Sequence, residues 1–266
     1  MYKRQLDYTL PWDVDGVSDV MPVEIDALAE WTVGDRMLGD IMRGMTPQDA
    51  QQAEWRRGTL PPGKLGWRRA IELRDQVALL AAEALRYRGA DGQAFDVDID
   101  LGTGRRLTGT VPLVFGDRLV SVTYSKLGGQ HLLAAWIPLL ALTAARGAHW
   151  SAVCIGRPPR GVQPRVTGLA APQGATDLLR DLVSMYDEGR RRPLPLPIKT
   201  SYAWAAARQA GDDPHQPASY RWRNERDDPA IERVWGRDAA LEDLDGLSDY
   251  APRLWLPLLD AEEAVR

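Results

Sequence analysis

Aspartates recur at every second position of one short stretch, and carboxylates are the side chains that suit a hard divalent metal ion. Three lie in residues 95–101 and a fourth follows a further apolar run, namely Asp96, Asp98, Asp100 and Asp117. Residues two apart lie on the same face of a β-strand, so the first three carboxylates would share one side. Two interpretations follow: ligands of a metal-dependent hydrolytic site, or the solvated face of a half-buried strand, which is the simpler explanation.

Other reactive residue types lack partners at a useful spacing. Cys154 is the only cysteine, which excludes a disulfide or a thiolate metal site within the chain. His131, His149 and His215 have no cysteine or carboxylate at metal-ligand spacing. Ser125 has no histidine–aspartate arrangement near it, and the chain has no Gly-x4-Gly-Lys-Ser/Thr sequence. We therefore predict neither a hydrolase triad nor an independent ATP site.

Two basic segments are candidates for contact with nucleic-acid phosphates, since each cation adds salt-dependent affinity. The candidate residues are Arg190, Arg191, Arg192, Arg221, Trp222 and Arg223. For the first three, the alternative is a set of solvated arginines at the C-terminal end of a helix. For the last three, the alternative is a surface loop packed on the domain.

A mixed sheet around one apolar helix is expected to position these residues. Three strands, one helix and a fourth strand are predicted at residues 95–101, 106–115, 118–124, 131–145 and 149–155. Gly116 and Asp117 can close a hairpin between the second and third strands. The helix is almost wholly apolar, but it is too short and too interrupted by Pro138 to span a bilayer. The predicted fold class is α/β with a β-β-β-α-β core.

Helical patterns dominate the chain before residue 90 and return after the sheet. Helices are predicted at residues 28–42, 47–56, 67–87, 176–186, 202–209 and 250–265, with a short strand within 162–169. Thr46 is a predicted N-cap, and Thr200 and Ser201 are predicted to cap the helix that starts at residue 202. We expect a sequence scar at residues 1–5, with the natural protein extending upstream, a helical annex at 6–90 and one domain at 91–266.

The composition is that of a soluble globular protein, with 44% hydrophobic and 26% charged residues among 266. The formal net charge of -4 excludes a bulk polycation, so any nucleic-acid contact must come from local patches. There is no signal peptide and no apolar run long enough for a membrane span, so we expect a cytoplasmic protein without membrane contact.

The predicted hairpin resembles the core of the PD-(D/E)XK nucleases, most closely the nuclease domain of RecB and AddAB helicase-nucleases. Their pattern is Gly-x-apolar-Asp and then, after a turn, apolar-Asp-Tyr-Lys. In that family the two acids hold a divalent metal, and the lysine positions and activates the attacking water. The corresponding segments here are Gly109-Thr-Val-Pro112 and Val122-Thr-Tyr-Ser125.

The resemblance implies a degenerate, restriction-endonuclease-like mixed sheet flanked by helices, because all three catalytic positions are changed. Pro112 and Thr123 stand at the two acid positions, and Ser125 stands at the lysine position. Lys126 comes one place late, so it should point to the opposite face. Pro112 also lacks an N–H group for the strand ladder, which predicts a sheet edge or a bulge.

Further segments are similar to the C-terminal region of RecC, the gamma subunit of exodeoxyribonuclease V (RecBCD). They lie at residues 33–36, 54–63, 186–189, 193–197, 200–204, 234–236 and 254–259. This likeness implies a non-catalytic scaffold that binds RecB-like and RecD-like subunits and guides a duplex DNA end and its single strands. It implies no cofactor in this chain, with ATP and Mg²⁺ in the partner subunits. Chi recognition would lie in the helicase-like part of such subunits, which is absent here.

Two other hypotheses remain open. One is an active metal-dependent DNA nuclease of the RecB/AddAB type, with Asp117 and Asp96, Asp98 or Asp100 as displaced ligands. The other is a free-standing adaptor without a DNA role.

Overall fold

The computed structural model describes residues 25–89, 91–158 and 160–263. Its contacts divide the chain into two compact units, one up to Asp75 and one from Gln76. The division lies inside one long helix, whereas the sequence suggested a boundary near residue 90, which remains a prediction. The predicted scar at residues 1–5 lies outside the described residues.

The first unit contains helices α1 (Ala27–Met42) and α2 (Pro47–Arg56) and the beginning of α3 (Gly63–Tyr87). The predicted cap of α2 is confirmed, because Thr46 Oγ1 accepts the N–H of Asp49 at 3.1 Å. A fully buried carboxylate also joins α1 to α2. Glu54 accepts two hydrogen bonds from the Arg36 guanidinium, at 3.0 and 2.7 Å. The hydrogen bonds to Glu54 raise the pKa of Arg36.

The second unit is built on a six-stranded sheet in the order of the chain. Its strands are β1 (Gly92–Gly102), β2 (Arg105–Phe115), β3 (Arg118–Lys126), β4 (Ser151–Arg157), β5 (Arg165–Ala170) and β6 (Glu262–Glu263). Only β3 and β4 pair in parallel, and the other neighbours are antiparallel. The predicted α/β class and mixed sheet are therefore confirmed, with β4 starting two residues later than predicted.

The apolar helix α4 (Gly129–Arg146) connects the two parallel strands and contacts β1 to β4. It runs through Pro138, and its largest buried side chains are Leu132, Trp136, Leu139, Leu140 and Leu142. A parallel pair needs such a crossover, and an apolar helix can bury the strands that it crosses. The prediction of a helix packed on the sheet at this position is confirmed.

The remaining helices follow β5 and pack against the same core. They are α5 (Ala175–Gly189), α6 (Ile198–Ala210), α7 (His215–Glu225), α8 (Pro229–Trp235) and α9 (Leu247–Asp260), with a short 3-10 helix at Leu241–Asp243. The last α-helix is shorter than predicted. The predicted surface loop at residues 220–223 is wrong, because these residues are helical within α7.

The predicted cap of α6 is also wrong. The helix begins at Ile198, so Thr200 and Ser201 lie inside its first turn, where both are buried. The acceptor for the first N–H groups of α6 is instead Glu225 at the end of α7. Its carboxylate accepts the N–H groups of Lys199 and Thr200, at 2.9 and 2.8 Å, and the Thr200 hydroxyl at 2.8 Å. A carboxylate that is distant in sequence thus replaces a local cap.

Candidate functional site

The acidic stretch forms the solvated face of β1. Asp96, Asp98 and Asp100 are exposed, and the residues between them are buried. Each carboxylate has a hydrogen-bond partner. Asp96 accepts the Thr110 hydroxyl at 2.6 Å, and Asp98 pairs with Arg106 at 2.7 Å. The Arg106 hydrogen bond holds the pKa of Asp98 below its usual range. Of the two interpretations, the structure supports the solvated strand face.

Asp117 does not join the other three aspartates. It lies in the two-residue turn between β2 and β3, next to the paired residues Gly92 and Phe115. Asp100 lies at the far end of the same ladder, paired with Arg106. Across the described parts of the chain, no three histidine, cysteine or acidic side chains come together in a way that could hold a metal ion.

Pro112 lies in a β-bulge, as its missing N–H predicted. Phe95 pairs with Val111 and Gln93 pairs with Val114, so two residues of β2 oppose the single residue Ala94. The second bulged residue, Leu113, has a φ of 58°, which is unusual for a branched side chain. The first acid position of the nuclease pattern therefore lies where the β1–β2 ladder is interrupted.

Thr123 and Ser125 lie in a second irregularity, on the parallel pair. Val122 pairs with Ile155 and Lys126 pairs with Arg157, so residues 123–125 oppose Gly156 alone. The Ser125 N–H donates to Thr123 Oγ1 at 3.1 Å, which ties the threonine hydroxyl to its own strand. None of the three degenerate positions offers a carboxylate or an ammonium group, so these side chains do not fit a magnesium site.

The Gly156 backbone accommodates this second bulge. A Cβ at that position would lie 2.9 Å from the Ser125 carbonyl oxygen and 3.2 Å from the Leu127 Cβ and N atoms. Contacts below 3 Å with backbone atoms require the strand to move, so only glycine fits without a shift. The close approach holds the ends of β3 and β4 together.

The residue between the two degenerate positions of β3 points into the protein. Tyr124 is fully buried, and its hydroxyl donates to Gln76 Oε1 at 2.9 Å. The Arg157 guanidinium carbon lies 4.2 Å from the centre of the tyrosine ring, in a cation–π contact. Tyr124 thereby orients both an amide and a cation at the carboxyl ends of the parallel strands.

A cavity of about 280 Å³ opens beside this arrangement. It is lined by Gln76, Leu80, Lys126, Arg157, Pro158, Arg160, Gly161 and Val162. Three of these eight residues are cations, and none of the eight is acidic. This cavity was not predicted from the sequence, although the run Gly156-Arg-Pro-Pro-Arg-Gly161 at the end of a strand was a signal for it. It is the candidate functional site of the second unit.

The arginines 190–192 follow the C-terminal end of α5, as the alternative interpretation required. Arg192 pairs with Glu188 and donates to the Tyr250 hydroxyl at 2.9 Å. Arg190 lies 5.9 Å from the centre of the Tyr186 ring. The structure accounts for Arg190 and Arg192 through contacts within the chain, and DNA contact by Arg190, Arg191 and Arg192 stays a prediction.

The second basic segment separates into a buried residue and two exposed ones. Trp222 is only 3% exposed, and its indole N–H donates to the Ala239 carbonyl oxygen at 2.8 Å. This burial gives Trp222 a packing role and leaves no ring face for a nucleic-acid base. Arg221 and Arg223 are exposed on α7, and their contact with DNA stays a prediction.

Among residues 25–89, 91–158 and 160–263, no helix combines the length and the apolar character needed to cross a bilayer.

Comparison with known proteins gives a consistent family assignment. A family model described as the RecC C-terminal domain matches residues 2–209, so the match begins inside the stretch predicted to be a scar. The RecBCD enzyme subunit RecC of Mycolicibacterium smegmatis is 69% identical over 283 aligned residues, covering 99% of this chain and 26% of that protein. The protein of the same name from Mycobacterium tuberculosis is 54% identical, covering 98% of this chain and 26% of that protein.

This chain spans about a quarter of the length of the curated relatives that it matches. The family match nevertheless covers more than half of the chain, and both relatives align along almost all of it. The chain therefore belongs to the RecC family, in which it corresponds to the C-terminal domain.

Proposed function

We propose that this chain is a non-catalytic scaffold within a RecBCD-type exodeoxyribonuclease V. It binds RecB-like and RecD-like subunits and guides DNA during ATP-dependent unwinding, in the repair of double-strand breaks by recombination. The observation that carries the proposal is the loss of all three catalytic side chains at the nuclease positions, where Pro112, Thr123 and Ser125 stand. Relatives of this chain named as RecBCD enzyme subunits support it.

The fold that we propose is a degenerate PD-(D/E)XK nuclease. The β2–β3 hairpin supports this proposal, because the segments that resemble the nuclease pattern lie on its two strands and a helical crossover then leads to the parallel strand β4. Two of the three register irregularities in the described sheet coincide with degenerate positions. A bulge changes the direction of neighbouring side chains, so it is tolerated more easily in a strand that does not position metal ligands.

An exposed apolar groove supports a role in subunit assembly. It has a volume of about 500 Å³ and is lined by Leu133, Ile137, Leu182, Met185, Tyr186, Gly189, Arg190, Leu194, Leu196 and Leu254. Ile137 is 43% exposed and Tyr186 is 64% exposed. Exposed apolar surface of this kind is typical of protein interfaces, because water contact with it is unfavourable. The partners of the proposed complex would cover such a groove.

The chemistry of the complex would then belong to the partners. ATP and Mg²⁺ would bind in the RecB-like and RecD-like subunits, and this chain would carry no cofactor. The proposed location is the cytoplasm, where chromosomal DNA is accessible.

A cleavage assay tests the absence of catalysis. The purified chain is incubated with labelled linear duplex and single-stranded DNA in the presence of Mg²⁺, with EDTA as the control. We expect no cleavage above the EDTA control. Mg²⁺-dependent cleavage that is lost in Asp96→Asn, Asp98→Asn, Asp100→Asn or Asp117→Asn variants would instead establish the displaced-ligand nuclease.

Co-purification tests the scaffold role separately. The chain is expressed with tagged RecB-like and RecD-like proteins from the same genome, and the complex is analysed by gel filtration. We expect a stable assembly that is weakened by Ile137→Glu in the apolar groove and unaffected by Leu85→Glu, an exposed apolar residue that does not line the groove. Absence of any assembly would favour a free-standing adaptor.

A further inference from the structure

We propose that a cavity next to the apolar groove docks a segment of a partner protein in which a lysine or arginine adjoins apolar side chains. The cavity has a volume of about 800 Å³. We call it the acidic pocket, and the residues that define it are Leu196, Glu225, Asp227, Asp228, Ile231 and Trp235. The choice of a subunit of the complex as the partner rests on the proposed function. The chemistry of the pocket does not.

The first argument is the charge of the pocket. Its lining contains three carboxylates, on Glu225, Asp227 and Asp228, and one cation, Lys199. Glu225 and Asp228 cap the first turns of two helices, and each helix end carries about half a positive elementary charge. Lys199 and these two ends do not offset all three carboxylates, so the pocket stays negative. A lysine or arginine complements this charge, whereas nucleic-acid phosphates are repelled by it.

The second argument is that Asp227 is both accessible and held in place. It is exposed, and its carboxylate accepts no hydrogen bond from the described residues. On one side of it, Glu225 accepts the Thr200 N–H at 2.8 Å, and on the other, Asp228 accepts the Ala230 N–H at 2.8 Å. These two contacts anchor the turn that carries Asp227. Its charge is therefore positioned before a partner binds, which lowers the cost of binding.

The third argument is the apolar surface of the pocket. Leu196, Ile231 and Trp235 are partly buried, and each packs against the hydrophobic core while it lines the pocket. Covering the rest of their apolar surface is favourable, since that surface is then removed from water. A segment with basic residues alone would leave it in contact with water. The occupant therefore needs apolar side chains beside its cation.

The fourth argument is the position of the pocket. Leu194 and Leu196 line both the acidic pocket and the apolar groove, so a partner that covers the groove can continue into the pocket. The described lining of the groove contains no carboxylate and one cation, Arg190. The two neighbouring surfaces thus differ in charge, and charge complementarity fixes the direction in which a partner segment lies across them.

Thiol labelling of the assembled complex provides the first test. The only cysteine, Cys154, is 1% exposed, so a thiol introduced on the surface can be followed separately. Ala230→Cys places the thiol in the pocket. Gln216→Cys is the matched control, because both residues are exposed and each is the second residue of a helix. We expect assembly with RecB-like and RecD-like proteins to remove most of the maleimide labelling of Ala230→Cys and to leave that of Gln216→Cys unchanged.

Synthetic peptides provide the second test, which uses the chain without other subunits. A peptide of alternating leucine and lysine is compared with one of alternating leucine and glutamate, and both are titrated against the Ala230→Cys variant. We expect the lysine peptide to protect the thiol and the glutamate peptide to leave it labelled.

The charge of Asp227 is tested in the same assay. Asp227→Lys should weaken binding of the lysine peptide by about tenfold, because an attraction becomes a repulsion. Asp212→Lys is the control, since Asp212 is exposed and does not line the pocket, and it should leave the affinity unchanged.

Several outcomes would overturn the acidic pocket. They are no protection by the lysine peptide, equal protection by the two peptides, the same affinity for Asp227→Lys as for Asp212→Lys, and protection of Ala230→Cys by a single-stranded oligonucleotide. The last would indicate nucleic acid as the ligand. Assembly with partner subunits but no protection of Ala230→Cys would refute this site alone. Protection by the lysine peptide without any assembly would refute the scaffold function alone.

Discussion

The acidic face of β1 and the cavity lined by Lys126, Arg157 and Arg160 are two clusters of like charge in one unit, and they differ in the regularity of the strands that carry them. On β1, Asp96 accepts a hydrogen bond from Thr110, which lies opposite it on β2, and Asp98 forms an ion pair with Arg106 of the same strand β2. In the cavity, Lys126 faces another cation, Arg157, and none of the described lining residues is acidic. The aspartates lie along a regular part of the β1–β2 ladder, whereas Lys126 and Arg157 meet beside an interruption of the β3–β4 ladder.

The two regions also differ in backbone regularity. Residues 96–100 of β1 alternate strictly between exposed and buried side chains. On β3, three residues oppose Gly156 alone, and Tyr124 and Lys126 lie on the side that contains Gln76. A regular strand spaces its side chains evenly, whereas a bulge changes their direction and can gather them. The comparison shows that the cavity lies where the pairing of β3 with β4 is interrupted.

The largest effect is expected for Gly156→Ala, which removes the space that the bulge occupies. The new Cβ would lie 2.9 Å from the Ser125 carbonyl oxygen, and backbone atoms cannot move aside cheaply. We expect the free energy of unfolding to fall by about 1–3 kcal/mol, the usual cost of overpacking a core. Urea denaturation measures this change.

The matched control is Gly109→Ala on the regular part of β2, where a Cβ would have nothing within 4 Å. Its stability should stay the same or rise by about 0.5 kcal/mol, because alanine restricts the unfolded chain. Equal stabilities of the two variants would show that the bulge does not depend on glycine.

A smaller effect is expected for Tyr124→Phe, which removes the hydroxyl that donates to Gln76 Oε1 at 2.9 Å. The free energy of unfolding should fall by about 1 kcal/mol, the usual net value of a buried hydrogen bond. Thr110→Val on the exposed face is the control, and it should change the free energy of unfolding by no more than about 0.5 kcal/mol. If Thr110→Val lowered the free energy of unfolding more than Tyr124→Phe, the exposed face of β1 would contribute more to stability than the buried contact of Tyr124.

The smallest effect is expected for Asp98→Asn, which breaks an ion pair whose two side chains are 57% and 56% exposed. Solvent screens such pairs, so the urea midpoint should match that of the unaltered chain. The pKa of Asp98 is lowered in the folded state, mainly by its hydrogen bond with Arg106. Any stabilisation of the fold by this pair is therefore present above the pKa of Asp98 in the unfolded chain, and it is lost as the pH falls through the pKa of Asp98 in the folded chain. A clearly lower urea midpoint for Asp98→Asn would contradict this expectation.

Much of the fold follows from local pattern. The alternation at residues 95–101, the two-residue turn at Gly116 and Asp117 and the cap at Thr46 are confirmed by the structure. The bulge at Pro112 was also predictable, because proline cannot complete a strand ladder. These features depend on residues that are close in sequence.

Other features could not be predicted, because their hydrogen-bond partners are distant in the sequence. Thr200 and Ser201 have the right chemistry for an N-cap, yet Glu225 satisfies the N–H groups of α6 from the end of another helix. Trp222 lies among arginines in the sequence, yet its ring is buried and its N–H bonds the Ala239 carbonyl. Local sequence cannot show which distant carboxylate or carbonyl will be near.

The sequence by itself determined the α/β class, the solvated acidic face and the absence of carboxylate or lysine side chains at Pro112, Thr123 and Ser125, because each follows from residue type and short-range spacing. Only the tertiary structure decided that Lys126, Arg157 and Arg160 line one cavity with Gln76. Their convergence depends on a parallel pairing of two strands 24 residues or more apart and on three residues opposing one. Strand pairing at that distance is set by the packing of α4 and not by any local pattern.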